Sequence, residues 1–285
     1  MSIPRAVLEA QKFRSQIAEE YCGEVEDYYE DDEEESCTTK PSLDLSDDAN
    51  HDNTVKGRAN YVLLQLYEQK GYDVFKRTCI NMKGNCWFDK DEYGQFKGEC
   101  AEVYLYVTIL RFIEKYNLPW KVYLSLVLPH KDGIEGHTTE LDIVLVSEEM
   151  ITVFEAKSYN GNKTITDICT ISRPAGKKDI YKQNALHCES LVNQIRDYNI
   201  NGPKGMKSVL FSFAQGSIKD VRDKRCSSLI PVLTEDNLLY YLSSLTRLKD
   251  KYWKPTIFDR VEELSKKLTI EDHMKYIRSM KGGRF

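Results

Sequence analysis

The stretch that decides the fold is Thr139–Tyr159, TELDIVLVSEEMITVFEAKSY. Leu141–Val146 and Ile151–Phe154 are aliphatic and β-branched, and the polar run Ser147–Met150 separates them, which predicts a β-hairpin. Alternation along a strand puts Glu140, Asp142, Val144 and Val146 on one face, and Ile151, Val153, Glu155 and Lys157 together on a face of the second strand. With Glu148 and Glu149 as a two-residue turn, Ser147 opposes Met150, Asp142 opposes Glu155, and Glu140 opposes Lys157. Opposed Cβ atoms stand roughly 4.5–5.5 Å apart, close enough for two carboxylates to hold one cation. A loop one residue longer breaks this register. Uncompensated acids at the ends of apolar strands are costly, so the pair needs a reason. The plain alternative is a surface hairpin carrying a solvated ladder of charge.

Upstream lies GECAEVYLYVTIL (Gly98–Leu110), and downstream QNALHCESL (Gln183–Leu191). Apolar residues occur almost all around Gly98–Tyr116, which predicts a buried helix. Glu99 and Glu102 fall on its expected first turn, where the helix dipole favours negative charge. Gln183, His187 and Leu191, four apart, share a face of a helix expected over Asp179–Tyr198. A glutamate-bearing helix, then ELD, FEAKSYNG and QNxxHxxxL, in that order, resembles the PD-(D/E)xK nuclease superfamily, and within it the nuclease-related domain (NERD) branch. The resemblance covers about half the chain, from Gly98 to Leu239.

That resemblance implies a restriction-endonuclease-like α/β (α+β) core, a central mixed sheet flanked by helices. It selects Glu102 as a third site carboxylate, with Glu99 behind it. It also implies Asp142 and Glu155 as metal ligands, joined by Glu102 and the backbone carbonyl of Ala156. Lys157 would orient the attacking water, Gln183 would stand at the rim, and Glu140 would hold Lys157 or bind a second ion. Carboxylate oxygens without thiolates favour Mg2+ or Mn2+ over zinc. The expected activity is metal-dependent hydrolysis of phosphodiesters, with DNA favoured over RNA. The alternative is a nucleic-acid-binding or regulatory protein on the same fold with weak or no hydrolysis.

The 285 residues carry a net charge of −5, which hides an asymmetry. Residues 19–52 hold fifteen acids against Lys40 alone, leaving 39 basic and 30 acidic residues elsewhere, a net of +9. The stretch is too charged and too poor in apolar residues to fold by itself. It is expected to be a disordered arm, serving either as a solubilising linker or as an occupant of the nucleic-acid groove. Ile3–Ala18 before it has the spacing of a short amphipathic helix. Neither a secretory signal nor a membrane span is expected. Eight cysteines without a CxxC pair suggest reduced thiols and a cytoplasmic protein. Zinc at Cys79, Cys86 and Cys100 is disfavoured for the same lack of spacing.

Four segments are expected: an arm over 1–53, an extension over 54–96, the nuclease-like core over 97–248, and a helical tail over 249–285. Thr54–Gln69 reads as a helix capped by Thr54 and stopped by Gly71. Tyr72–Ile80 reads as a strand, and Asn81–Gln95 as a loop. Trp87, Phe88, Tyr93 and Phe96 lie among Lys83, Lys90 and Lys97, either packed on the core or stacking bases. Lys121–Leu128, Met206–Phe213 and Leu229–Leu233 read as further strands, and Lys163–Thr170 as a strand or loop. Arg173–Lys178, RPAGKK, reads as a basic loop, either contacting phosphate or simply solvated, Glu235–Leu248 as a helix, and 255–280 as two more.

Overall fold

Thr54 opens the first helix, α1 (Val55–Lys70), and its side chain accepts from the Gly57 amide at 3.0 Å. Gly71 ends it with φ 81, a left-handed conformation that glycine adopts without a Cβ penalty. The computed structural model describes residues 54–81, 88, 92–159, 161–166, 170–173, 176–179, 181–213 and 217–282. Ser42–Phe285 form one compact unit. The readings made for Ile3–Ala18, the acidic stretch, Cys86, Trp87, Lys83 and Lys90 lie outside the described residues. Among those described, no helix is long and apolar enough to cross a membrane.

Tyr72–Asn81 is a second helix, α2, not the expected strand. Its buried residues are Phe75 and Cys79, four apart, so one face packs on the core at helical spacing. Aromatic and β-branched content suggested extension, and tertiary packing overrides that preference. Helix α3 (Tyr93–Lys115) begins five residues before the expected start. Glu99 and Glu102 therefore stand in its interior, and the dipole argument for them fails. Phe88 stacks on Phe96 at 4.9 Å between ring centroids, and both rings are buried, so these aromatics belong to the core.

The central sheet runs β1 (Lys121–Pro129), β2 (Thr138–Val146), β3 (Ile151–Lys157), β7 (Met206–Ser212) and β9 (Val232–Leu233). The first three pair antiparallel, while β3, β7 and β9 pair parallel, making the sheet mixed. A small second sheet, ordered β6-β5-β4-β8, combines β4 (Lys163–Thr166), β5 (Thr170–Arg173) and β6 (Gly176–Asp179), which lie between β3 and β7 in the chain, with β8 (Ile218–Asp220), which follows β7. The expected basic loop over Arg173–Lys178 is thus largely a hairpin of β5 and β6, with Arg173 opposite Gly176. Helix α4 (Tyr181–Ile195) follows β6 and returns the chain to β7. The strand expected over Leu229–Leu233 is instead the end of α5 (Lys224–Leu229) followed by the two residues of β9. Helix α6 (Glu235–Leu245), then α7 (Ile257–Ser265) and α8 (Ile270–Gly282), complete the described chain.

Helices cover both faces of the central sheet. Ile143, Leu145, Phe154, Ala156, Val209 and Phe211 pack with α1, α3 and α6 residues such as Leu63, Val103, Val107 and Leu238. Val144, Val146, Ile151 and Val153 pack on the opposite side with Leu191, Ile195, Ile257 and Val261 from α4 and α7. A strand bearing apolar residues on both faces is the expected signature of a sheet buried between helix layers.

The hairpin has the register read from the sequence. Val146 pairs with Ile151 and Ile143 with Phe154, and the Ser147 amide donates to the Met150 carbonyl at 3.1 Å. Shared faces do not extend as expected beyond Asp142. Leu141 packs in the same cluster as Val144, three residues on, whereas strict alternation would place it with Ile143. The cause lies on β1. Ser125 has φ 53, and the β1–β2 ladder passes from Leu124–Ile143 to Leu126–Leu141 without a Ser125–Asp142 pair. A non-glycine residue in the left-handed region costs about 1–3 kcal/mol, and such residues gather where the backbone has another task.

Candidate active site

Asp142 lies at this break in the sheet. Instead of the ladder continuing to Asp142, its Oδ2 accepts from the Ala156 amide at 2.8 Å. That bond ties the two halves of the hairpin across the site and fixes one carboxylate oxygen. Glu155, directly on β3, is fully buried. Its Oε1 meets the Lys157 ammonium and its Oε2 lies 3.1 Å from His187 Nδ1. Lys157 Nζ also stands 3.7 Å from Asp142 Oδ2. Asp142, Glu155 and Lys157 are therefore gathered in one place.

Glu102 belongs to the same buried cluster, through a residue the sequence reading passed over. Lys56, on α1, sends its Nζ to Glu102 Oε2 at 2.6 Å, to Glu140 Oε1 at 2.7 Å and to Glu99 Oε2 at 3.4 Å. Glu140 was expected opposite Lys157. The slip in alternation at Asp142 accompanies its contact with Lys56 instead. Lys56 continues the buried stripe of α1 back through Ala59 and Leu63, and a lysine on an apolar stripe was the signal available.

Electrostatics unites these groups. Burial acts to lower the Lys56 ammonium, but Glu102, Glu140, Glu99 and Asp142 outweigh it and hold it well above the ordinary lysine value. Burial also acts to lower Lys157, and Asp142, Glu155 and Glu102 likewise raise it. Burial, Asp142 and Glu99 push the Glu102 carboxyl well up against the pull of Lys56. Burial pushes Glu99 up to about 8, with Lys56 opposing and Glu140 and Asp142 adding to the rise. His187 is lowered by burial but raised overall by its contact with Glu155.

Gln183 sits one turn before His187 on α4 and is half-buried. Among the described contacts, the side chain of this helix that reaches the acids is His187, not Gln183. Asn184 has a different task. Its Nδ2 lies 2.8 Å from Ser208 Oγ, 3.3 Å from the Val153 carbonyl and 3.4 Å from the Val209 carbonyl, pinning α4 to β3 and β7.

Five carboxylates (Glu99, Glu102, Glu140, Asp142 and Glu155) face two ammonium groups, leaving an excess of acid in largely buried space. Taking charge out of water is expensive without compensation, so protons or a cation must make up the difference. The all-oxygen donor set of Asp142, Glu155 and Glu102 fits a hard divalent ion. Among the described residues no three His, Cys, Asp or Glu side chains form a ready metal cage. Lys56 and Lys157 stand among the acids.

Residues 97–212 match the family model described as nuclease-related domain, NERD. No curated protein matches the chain in sequence. Among solved structures, protein VC1899 from Vibrio cholerae is 14% identical with a TM-score of 0.35, over 68% of this chain and 50% of that one. Can2 from Sulfobacillus thermosulfidooxidans, solved with cyclic tetra-adenylate, is 18% identical with a TM-score of 0.34, over 66% of this chain and 48% of that one. The chain thus spans about half the length of each.

Proposed function

We propose, for a chain that carries a nuclease-related domain over residues 97–212, that Asp142, Glu155 and Lys157 form the centre of a metal-dependent nuclease acting on DNA. The observation that carries this reading is the meeting of these three residues at an interruption of the sheet, in one electrostatic cluster with Glu102.

Asp142, Glu155 and Glu102, with the Ala156 carbonyl, would hold one Mg2+ or Mn2+. Such an ion, when bound, neutralises charge on the scissile phosphate and lowers the pKa of the attacking water. The chain's own residues do the rest. The Ala156 amide holds one oxygen of Asp142, leaving the other to act as a ligand. His187 restrains Glu155 from the α4 side. Lys157 presents an ammonium donor to the attacking water and to phosphate oxygens, a role that suits a compact positive charge. Gln183 contacts substrate or water at the rim.

A binding-only reading draws on one observation. Glu155 is already met by both Lys157 and His187, so its charge is matched without an ion. Labelled single- and double-stranded DNA and RNA, incubated with Mg2+, Mn2+ or EDTA, separate the two readings. Metal-dependent cleavage of DNA that disappears in Glu155→Gln and Lys157→Met is the expected result. Retained binding without cleavage of any substrate would install the binding module, and cleavage confined to RNA would change the substrate class.

A further inference from the structure

Lys56 stands outside the matched family region of residues 97–212, on a helix that ends at Lys70. Yet it is the most heavily engaged cation of the site. It is 6% exposed and touches three carboxylates from two elements, Glu99 and Glu102 on α3 and Glu140 on β2. Lys157 serves the other acids, Glu155 and Asp142. The acids thus fall into two groups, each with its own ammonium. Glu140 is the residue best placed to extend a carboxylate site towards a second metal, and Lys56 already occupies its Oε1.

We infer that the Lys56 ammonium occupies the place of a second cation, so that this centre takes a single divalent ion, on the Asp142–Glu155 side. The inference rests on the metal-dependent reading above and adds a stoichiometry to it. The Lys56–Glu102 contact at 2.6 Å is a charge-assisted hydrogen bond, and Glu140 Oε1 is held at 2.7 Å as an ion pair. A second ion would have to displace this buried ammonium. Without the ammonium, the buried Glu99 and Glu102 and the partly buried Glu140 face one another uncompensated, and unpaired buried charge is costly. Lys56 is therefore a positioning residue. It holds Glu102 at the edge of the ion site and keeps Glu140 out of it.

The test counts Mn2+ on the full chain by equilibrium dialysis and calorimetry at fixed pH. Ions held elsewhere, including on the acidic N-terminal stretch, cancel in differences between variants. Wild type should exceed Asp142→Asn/Glu155→Gln by one ion. Lys56→Met should exceed wild type by one more, and adding Glu140→Gln to Lys56→Met should remove that extra ion. Equal counts in wild type and Lys56→Met overturn the inference, as do two site ions in wild type, and both leave the metal-dependent reading standing. A wild-type count equal to that of Asp142→Asn/Glu155→Gln overturns both. Should Lys56→Met fail to fold, Glu140→Gln with Lys56 intact decides. Its affinity for the site ion should stay within about twofold of wild type, whereas a loss of about tenfold or more, the size seen when a metal's partners are removed, overturns the inference.

Discussion

At the scale of single residues, the site trades hydration for crowding, and Glu99 carries the clearest consequence. It is 3% exposed, and burial pushes its carboxyl up to about 8. In the unfolded chain a glutamate titrates at about 4.3, so between these values the folded state holds more protons than the unfolded state. Stability must then fall as pH rises through that window. Without added metal, the melting temperature should decline from about pH 5 to about pH 8. Glu99→Gln cannot lose a proton and should shallow that decline, leaving the part due to Glu102. Thermal melts of both proteins across that range in EDTA check this. Parallel slopes would mean that Glu99 is ionised throughout. Metal should raise the wild-type melting temperature, since an ion that binds only the folded state stabilises it by mass action. Asp142→Ala/Glu155→Ala should lose that rise.

At the scale of elements, the fastening of α4 decides where His187 sits. Asn184 is 3% exposed and bridges α4 to β3 and β7. Asn184→Ala leaves the Ser208 hydroxyl and two strand carbonyls short of a donor and should cost about 1–3 kcal/mol, read from chemical denaturation. Binding of Mn2+ should weaken with it, because α4 also carries His187 to Glu155. A second fastening lies at Gly205, where an added Cβ would come 2.7 Å from Trp253 Nε1 and closer still to Tyr252. Trp253 donates to the Gly205 carbonyl at 2.7 Å from a buried position. Gly205→Ala should therefore cost about 1–3 kcal/mol, the usual penalty of overpacking, and wild-type stability would refute the close approach.

These fastenings also mark what could be read from the chain. The hairpin register was legible because two aliphatic runs flank a polar break of fixed length, and its count alone sets which residues oppose. The end of α1 was legible because Gly71 is a strong local stop. Tyr72–Asn81 was not, because the nine residues Tyr72–Ile80, of mixed aromatic and β-branched character, satisfy a strand preference until tertiary packing selects Phe75 and Cys79. The slip at Asp142 was hidden for another reason. It originates in the left-handed backbone of Ser125, on a strand that no local rule connects to the hairpin. Lys56 escaped notice because a lysine carries no metal-ligand or motif signal, and its three acid partners are 43 to 84 residues away in the chain.

At the scale of the whole molecule, charge is distributed in opposition. Residues 19–52 carry fifteen acids against one lysine, and the rest of the chain carries a net of +9. A covalently joined segment competes with a free ligand at high effective concentration. An acidic segment should therefore oppose phosphate at any basic surface it can reach. Deleting residues 1–53 is expected to tighten nucleic-acid binding, most clearly at low salt, where the Debye length is about 30 Å at 0.01 M against about 8 Å at 0.15 M. Affinity of the truncated protein should also fall more steeply with salt. In its case binding would release the full complement of counterions from phosphate, whereas an acidic segment that competes for the basic surface would already have neutralised part of it. The deletion leaves Lys56 and Thr54 in place, so the site and the N-cap of α1 are retained. Fluorescence anisotropy with a labelled duplex, run for both proteins from about 0.02 to about 0.3 M KCl, reads both the affinity and its slope. Superimposed curves would reduce the acidic stretch to a solubilising segment, in which case its loss should show as aggregation at high protein concentration rather than as a change in binding.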